Sequence, residues 1–410
     1  MIVFLGLHTL DMVLENFYET IPVKTELWLA SKGWLMKLTI FAVMLSLFLS
    51  FPPYTLLIDH FRENGIKLDA WVFIENQAED LLHPRDMDAD IRRENMIFRW
   101  TLPLLFRATG QHLLLIIVLQ VVLAIGFLYM LARYIFDLFQ DKVVTAYFIL
   151  ALSNIFVSVW SFADIHGYGD GIAFFLLLLA LLSFHPLVIF IALQAAFFTD
   201  ERAVVAGGYL ILFYIARNCF QSGDFTLKSI LKSGISGNSR AVLVAWAIYF
   251  SIRYYVKTRY FPEHTYSTLG TPVLFADAHR NGLGSSIWST MEGTWILLLA
   301  GGFILLILKR YWLLALLFAG FSVLLTTGIF VHDIDRALAY GFPFVLISML
   351  ILRYSATLDT VRLLLFFTMI ICVIHPQVFY MGYNKILWLE PLPVKFLMQL
   401  DRMMEWKMFD

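Results

Sequence analysis

The chain has 410 residues, and its 30 basic and 31 acidic side chains give a net charge of −1. Charged residues are 15% and hydrophobic residues 60%, against roughly a quarter charged in soluble domains. That balance excludes a soluble enzyme and a disordered chain, and it gives no bulk attraction to nucleic acid. The apolar residues fall in long runs, so the expected fold class is all-α. The reading is a polytopic integral membrane protein of about 11 transmembrane helices with a long first extracytoplasmic loop. Cys219 and Cys372 lie far apart and suggest neither a disulfide framework nor a metal site.

Residues 1–37 read as a cytoplasmic amphipathic segment. The stretch 1–17 lacks a basic leader and carries His8, Asp11 and Glu15, as either an in-plane helix or a helix packed on the bundle would. The first span is 38–58, uncharged throughout. A long outer loop, 59–111, follows. Further spans are expected near 112–132, 143–160, 171–184, 187–198, 203–216, 241–256, 294–308, 312–330, 337–352 and 362–379. The tail is 380–410. Several of these runs are short for a simple crossing, so tilt, local thinning or a protein-lined cavity is implied.

Basic residues in short loops set the sidedness. With the N-terminus in the cytoplasm, Lys24, Lys32, Lys37, Arg133, Lys142, Arg217, Lys228, Lys232, Arg240, Lys309, Arg310, Arg353 and Arg362 all face inward. The short outer loops then hold only Arg202 and Arg336. If 171–198 were one helix bent at Pro186, everything after it would invert, so two separate short spans are expected.

This topology sends the acidic motifs to one face, as a catalytic cleft requires. Asp59 directly follows the first span, where a carboxylate could take a proton from an acceptor or hold a cation against a phosphate; a solvated loop acid is the plainer account. Asp86, Asp88 and Asp90 alternate as oxygen ligands for a hard cation such as Mg or Mn would. Arg92, Arg99 and Arg107 recur at helical spacing beside Arg93. They suit either phosphate oxygens or an interfacial helix with its arginines reaching for water. His166 and Asp170 sit among glycines before an apolar helix, where Asp170 is either a helix cap or a ligand group. Asp200, Glu201 and Arg202 crowd a tight loop between apolar helices, and buried charges there must pair or serve a site. Asp333, Asp335 and Arg336 open another helix. An arginine there opposes the helix dipole and calls for an anionic partner. Trp160, Trp288 and Trp295 are either interfacial belt residues or platforms for a sugar ring.

The layout resembles the GT-C superfamily of multi-spanning glycosyltransferases. One span leads to a long outer loop with an early acid, Asp59. That loop ends in RRENMIFRWTLPLLFRATG, similar to the R-x-x-x-P-L-L pattern of bacterial members. HGYGDGIAFFLLLLALL, FTDERAVVAGGYLIL and DIDRALAYGFPFVLI follow in matching order. Two departures, no Trp-Asp-Ser after the first span and no sizeable C-terminal soluble domain, leave the sugar and acceptor open. The resemblance implies a polyprenyl-phosphate sugar donor, a glycan or lipid-linked acceptor, and inverting transfer on the outer face of a bacterial cytoplasmic membrane. Asp59 becomes the candidate base, and Arg336 with Arg202 the holders of the lipid phosphate. Asp88, Arg99, Asp170, Glu201 and Asp333 complete the expected substrate-binding set. The competing reading is a transporter or flippase of a lipid-linked saccharide.

Overall fold

A computed structural model describes residues 20–62, 65, 67–82, 96–260, 277–331, 333–380 and 386–404. The expected N-terminal amphipathic helix, 1–17, lies outside them.

Helix α1 (Trp34–Leu49) ends before Pro52-Pro53, and α2 (Tyr54–Phe61) leaves at 76° to it. Proline lacks an N–H and disfavours helical backbone in the residue before it. The expected straight span 38–58 is therefore broken, and Asp59 rides on α2 rather than at the end of a straight helix. The segment 59–111 supplies α3 (Asp69–Glu79) and α4 (Thr101–Ala108), which pack on each other. Arg99 precedes α4, so Arg99 and Arg107 do not share one helix face. Arg107 donates instead to the carbonyls of Ala78 and Glu79, tying α4 to the end of α3.

α5 (Leu113–Phe139) is the longest helix described, at 27 residues. α6 (Lys142–Leu152) is capped by the Asp141 carboxylate, and α7 (Phe156–Ala163) departs from it at 58°. The next two helices, α8 (Asp170–Leu182) and α9 (Pro186–Phe197), have 13 and 12 residues. At 1.5 Å per residue they reach roughly 20 Å, short of the ~30 Å hydrocarbon layer. They pack closely on each other, and Asp170 at the start of α8 and Asp200 just after α9 approach one guanidinium, that of Arg336. They therefore form a hairpin of two short helices rather than one helix bent at Pro186. Asn238 holds its tip by donating to the Ser183 carbonyl.

α10 (Glu201–Ser222), α11 (Leu227–Gly234) and α12 (Gly237–Tyr260) follow. α13 (Asp277–Met291) runs through a 3-10 turn, Glu292–Thr294, into α14 (Trp295–Ile307). α15 (Tyr311–Ile329), α16 (Ile334–Ala339), α17 (Phe342–Ser355) and α18 (Leu358–Ile374) complete the helical body. A small antiparallel pair, β1 (Val378–Tyr380) with β2 (Ile386–Trp388), precedes α19 (Leu392–Met404).

The protein is thus all-α and polytopic in character. Among the described residues five helical segments are long and apolar enough to cross a membrane, or up to seven if each bent pair is one span. The expected count of about 11 differs because the sequence reading gave each short apolar run its own crossing. The run Ile334–Ser355 is 89% buried inside the protein, whereas Tyr311–Ile329 is 22% buried. Lipid acts as an apolar solvent for the outer helices. α16–α17 therefore forms the spine, and its first turn lies where α7, α8 and α10 end or begin. At the other end of the body, Arg362 pairs with Asp141 and Glu26. This joins α18, the α5–α6 turn and the N-terminal segment.

Candidate functional site

The loop between α7 and α8 sets the first carboxylate. Gly167 and Gly169 hold φ +87° and +77°. A Cβ on Gly169 would come within 2.9 Å of Leu102 and Thr199, so only glycine fits. Asp164 closes the loop by accepting from the backbone N–H of Gly169 at 2.7 Å and Tyr168 at 3.3 Å. Burial, then the neighbouring Asp170, pushes Asp164 up to about 6.

Asp170 opens α8 with Gly169 as its N-cap, so capping does not account for it. Its carboxylate is fully buried. It accepts from Arg336 Nε at 2.6 Å, Trp160 Nε1 at 2.9 Å and Tyr340 Oη at 2.9 Å. Trp160 is wholly buried, so it is neither belt residue nor sugar platform. Its indole N–H is a fixed donor to this carboxylate.

Asp200 is the hub. It caps α10 by accepting from the Arg202 N–H at 2.9 Å. Its Oδ2 lies 3.1 Å from Arg202 Nη1, 3.1 Å from Arg99 Nη2 and 3.6 Å from Arg336 Nη2. Burial raises the Asp200 pKa, and Arg99 pulls against that without cancelling it. Arg99 forms a two-pronged fork with Glu201, at 2.9 and 2.7 Å. Burial works against the Arg99 charge, but Asp200 and Glu201 outweigh it and hold the guanidinium above its ordinary range. The approach of Arg99 is fixed by Trp100, which stacks on Phe198 with ring planes 1° apart, and by the Thr101 N–H bond to the Phe198 carbonyl.

Asp333 joins the last two arginines, 2.8 Å from Arg336 Nη1 and 3.5 Å from Arg202 Nη2. The Tyr168 ring lies 3.9 Å from the Arg336 guanidinium carbon, a cation–π contact. Three guanidinium groups thus meet four carboxylates, drawn from the segment before α4, the start of α8, the α9–α10 turn with the start of α10, and α16 with its N-cap. Arg202 Nε and Arg336 Nη2 are buried without a hydrogen-bond partner among the described residues. Buried donors are rarely left so, and two on facing arginines suit an anionic oxygen.

Six of the eight expected site residues come together here: Arg99, Asp170, Glu201, Arg202, Asp333 and Arg336. Asp59 stands on α2 in a 3.0 Å ion pair with Arg62, both side chains partly open to solvent. Asp88, with Asp86, Asp90, Arg92 and Arg93, lies outside the described residues, as does His332. Among the described residues no group of three or more His, Cys, Asp or Glu side chains could hold a metal ion. The expected set lacks Asp200, Asp164, Trp160, Tyr168 and Tyr340. Asp200 was legible as the cap before a charged pair; the aromatic donors carry no mark in the sequence.

A cavity of about 680 Å³ lies between the α10–α11 and α14–α15 turns, lined in part by Asp224, Thr226, Lys309 and Arg310. It shares no residue with the charged cluster. α10, at 22 residues, separates the two by roughly 33 Å. Comparison with protein-family models, curated proteins and solved structures finds no match for this chain.

Proposed function

We propose that this protein is a membrane glycosyltransferase. It moves a sugar from a polyprenyl-phosphate donor to a glycan or lipid-linked acceptor, on the extracytoplasmic face of a bacterial cytoplasmic membrane. The observation that carries this reading is the buried arginine cluster, in which Arg202 Nε and Arg336 Nη2 make no hydrogen bond among the described residues, Arg336 Nη2 lying 3.6 Å from Asp200. The leaving group of such a transfer is already a phosphate. It needs fixed donors for the charge that grows as the glycosidic bond breaks, and those donors should face it before the reaction begins. Arg336 and Arg202 are the donors, with Arg99 held behind them by Glu201 and Asp200. Asp333 is the most exposed carboxylate paired to these two arginines, at 26%, so its ion pairs are the ones a lipid phosphate displaces. Asp59 is the base for the acceptor hydroxyl. A divalent cation, if used, belongs to Asp86, Asp88 and Asp90 of the same loop.

The deciding assay is transfer from polyprenyl-phosphate sugars by purified protein. Transfer from at least one donor is expected. No transfer with any donor, together with movement of lipid-linked saccharide across vesicles, would favour the flippase reading instead.

Orientation has its own test. Both native cysteines are buried, so single exposed cysteines can be read against them. Asp224→Cys should be labelled only from the cytoplasmic side and Trp388→Cys only from outside. Labelling of position 224 from outside would reverse the topology and remove the site from the face where the donor is proposed to lie.

A further inference from the structure

Beside the arginine cluster, across α16, lies a second polar group that the proposed transfer does not yet use. Asp335, next to Arg336, accepts from Ser289 Oγ at 2.7 Å and Thr290 Oγ1 at 3.2 Å. These two residues end α13, and the chain then enters the 3-10 turn at Glu292. Glu292 has φ +45°, a left-handed conformation that costs a side-chain-bearing residue energy and persists where surrounding structure imposes it. Its carboxylate is wholly buried. Oε1 accepts from Gln377 Nε2 at 2.9 Å and lies 3.4 Å from His375 Nδ1. Gln377 also donates to the Asn154 carbonyl at 2.6 Å.

This group leaves one donor and three acceptors without a hydrogen bond among the described residues; the donor is His375 Nδ1, 3.4 Å from Glu292 Oε1. Glu292 Oε2, Gln377 Oε1 and Asn154 Oδ1 are all buried, and none has a hydrogen-bond partner among the described residues. The Gln377 amide cannot be turned to relieve this, because its nitrogen already serves two acceptors. Three orphaned oxygens in one place call for a ligand rich in O–H donors.

At the rim stand His375, 24% exposed, and Trp288, 43% exposed. Trp288 Nε1 donates to His375 Nε2 at 3.0 Å. A belt tryptophan would be expected to turn its N–H toward water and head groups. This one is held edge-on to an imidazole, with rings 6.2 Å apart, and it is that imidazole which meets buried Glu292. An exposed aromatic face next to planar polar side chains matches a sugar ring, whose C–H faces are apolar and whose edge is all hydroxyl.

We infer that Trp288, His375, Glu292 and Gln377 form a saccharide subsite that seats the acceptor beside the arginine cluster. The assignment of this ligand to the acceptor rests on the transfer proposed above. Trp288 supplies the stacking face. The buried oxygens of Glu292 and Gln377 accept hydrogen bonds from saccharide hydroxyls, and the Trp288–His375 bond keeps the stacking face in place.

The test is calorimetric titration of purified protein with neutral trisaccharides of glucose, mannose, galactose and N-acetylglucosamine. Acceptor and donor KM values are measured in the transfer assay alongside. At least one trisaccharide should bind, with affinity unchanged by EDTA and about tenfold weaker in Trp288→Ala and in Glu292→Gln. Trp288→Phe should retain most of the binding, which a merely structural role would not require. In transfer, Trp288→Ala should raise the acceptor KM and leave the donor KM alone. Binding by no trisaccharide, or equal binding by wild type and both variants, overturns the subsite. A melting temperature raised by Mg²⁺ or Na⁺ only when Glu292 is present, with no saccharide effect, also overturns it and identifies a cation site. Saccharide binding that is lost in the variants, in a wild type that transfers nothing, sustains the subsite while the transfer reading falls.

Discussion

Arg336→Met is expected to cost about 3–5 kcal/mol of stability, the usual result of removing one partner from a buried ion pair. The guanidinium and the Asp170 carboxylate are 2% and 0% exposed, so water cannot replace the lost cation. Asp333 and Asp200 lose a partner in the same step. Removing Asp170 as well, in an Arg336→Met/Asp170→Leu protein, should recover only part of the loss. Trp160 and Tyr340 also donate to that carboxylate, and each would keep a buried donor without an acceptor. Thermal unfolding in detergent measures both. A single variant as stable as wild type would mean that the cluster is solvated and that Arg336 is no part of its frame. Arg336→Lys separates frame from function. A lysine keeps the charge but not the planar fork, so donor affinity should fall more than stability does.

Asp59→Asn should slow transfer by roughly 10²–10⁴-fold, the range for losing a general base, with donor affinity retained. The amide keeps the shape of the carboxylate and cannot take a proton. The ion pair with Arg62 must open for Asp59 to act, and both side chains are exposed enough to part at little cost. Rates for wild type and variant, each at saturating donor, decide the matter. An undiminished rate in Asp59→Asn would take the base role away from α2.

The class was readable from the sequence because it depends on a bulk quantity, the long apolar runs. Six site residues were readable for a related reason. A charge placed at the edge of an apolar helix is costly unless paired, so Glu201, Arg202 and Arg336 advertised partners before any were seen. Which partners they had was not readable. Arg336 meets Asp170 from 166 residues away, and no local pattern encodes that pairing. The bend between α1 and α2 could have been foreseen at Pro52-Pro53. The bend after α6 has no proline. It arises where Asn154 turns its side-chain nitrogen back to the Leu150 carbonyl, a local competition with the helix. Trp160 shows the reverse error: a residue type common at membrane surfaces serves here as an internal donor.

The wide sequence spacing within the cluster also fixes an order of assembly. The α8–α9 hairpin brings Asp170 and Asp200 into the protein long before Arg336 has been made. At about 5–20 residues per second, the 166 residues between Asp170 and Arg336 take roughly 8–33 s to synthesise. During that interval neither short helix can span the bilayer alone, and Asp170 lacks the arginine that later compensates it. The hairpin must therefore wait, incompletely seated, for the last third of the chain. The charged cluster is a lock that can close only after α16 arrives, while α17, α18, the β1–β2 pair and α19 are still to be made.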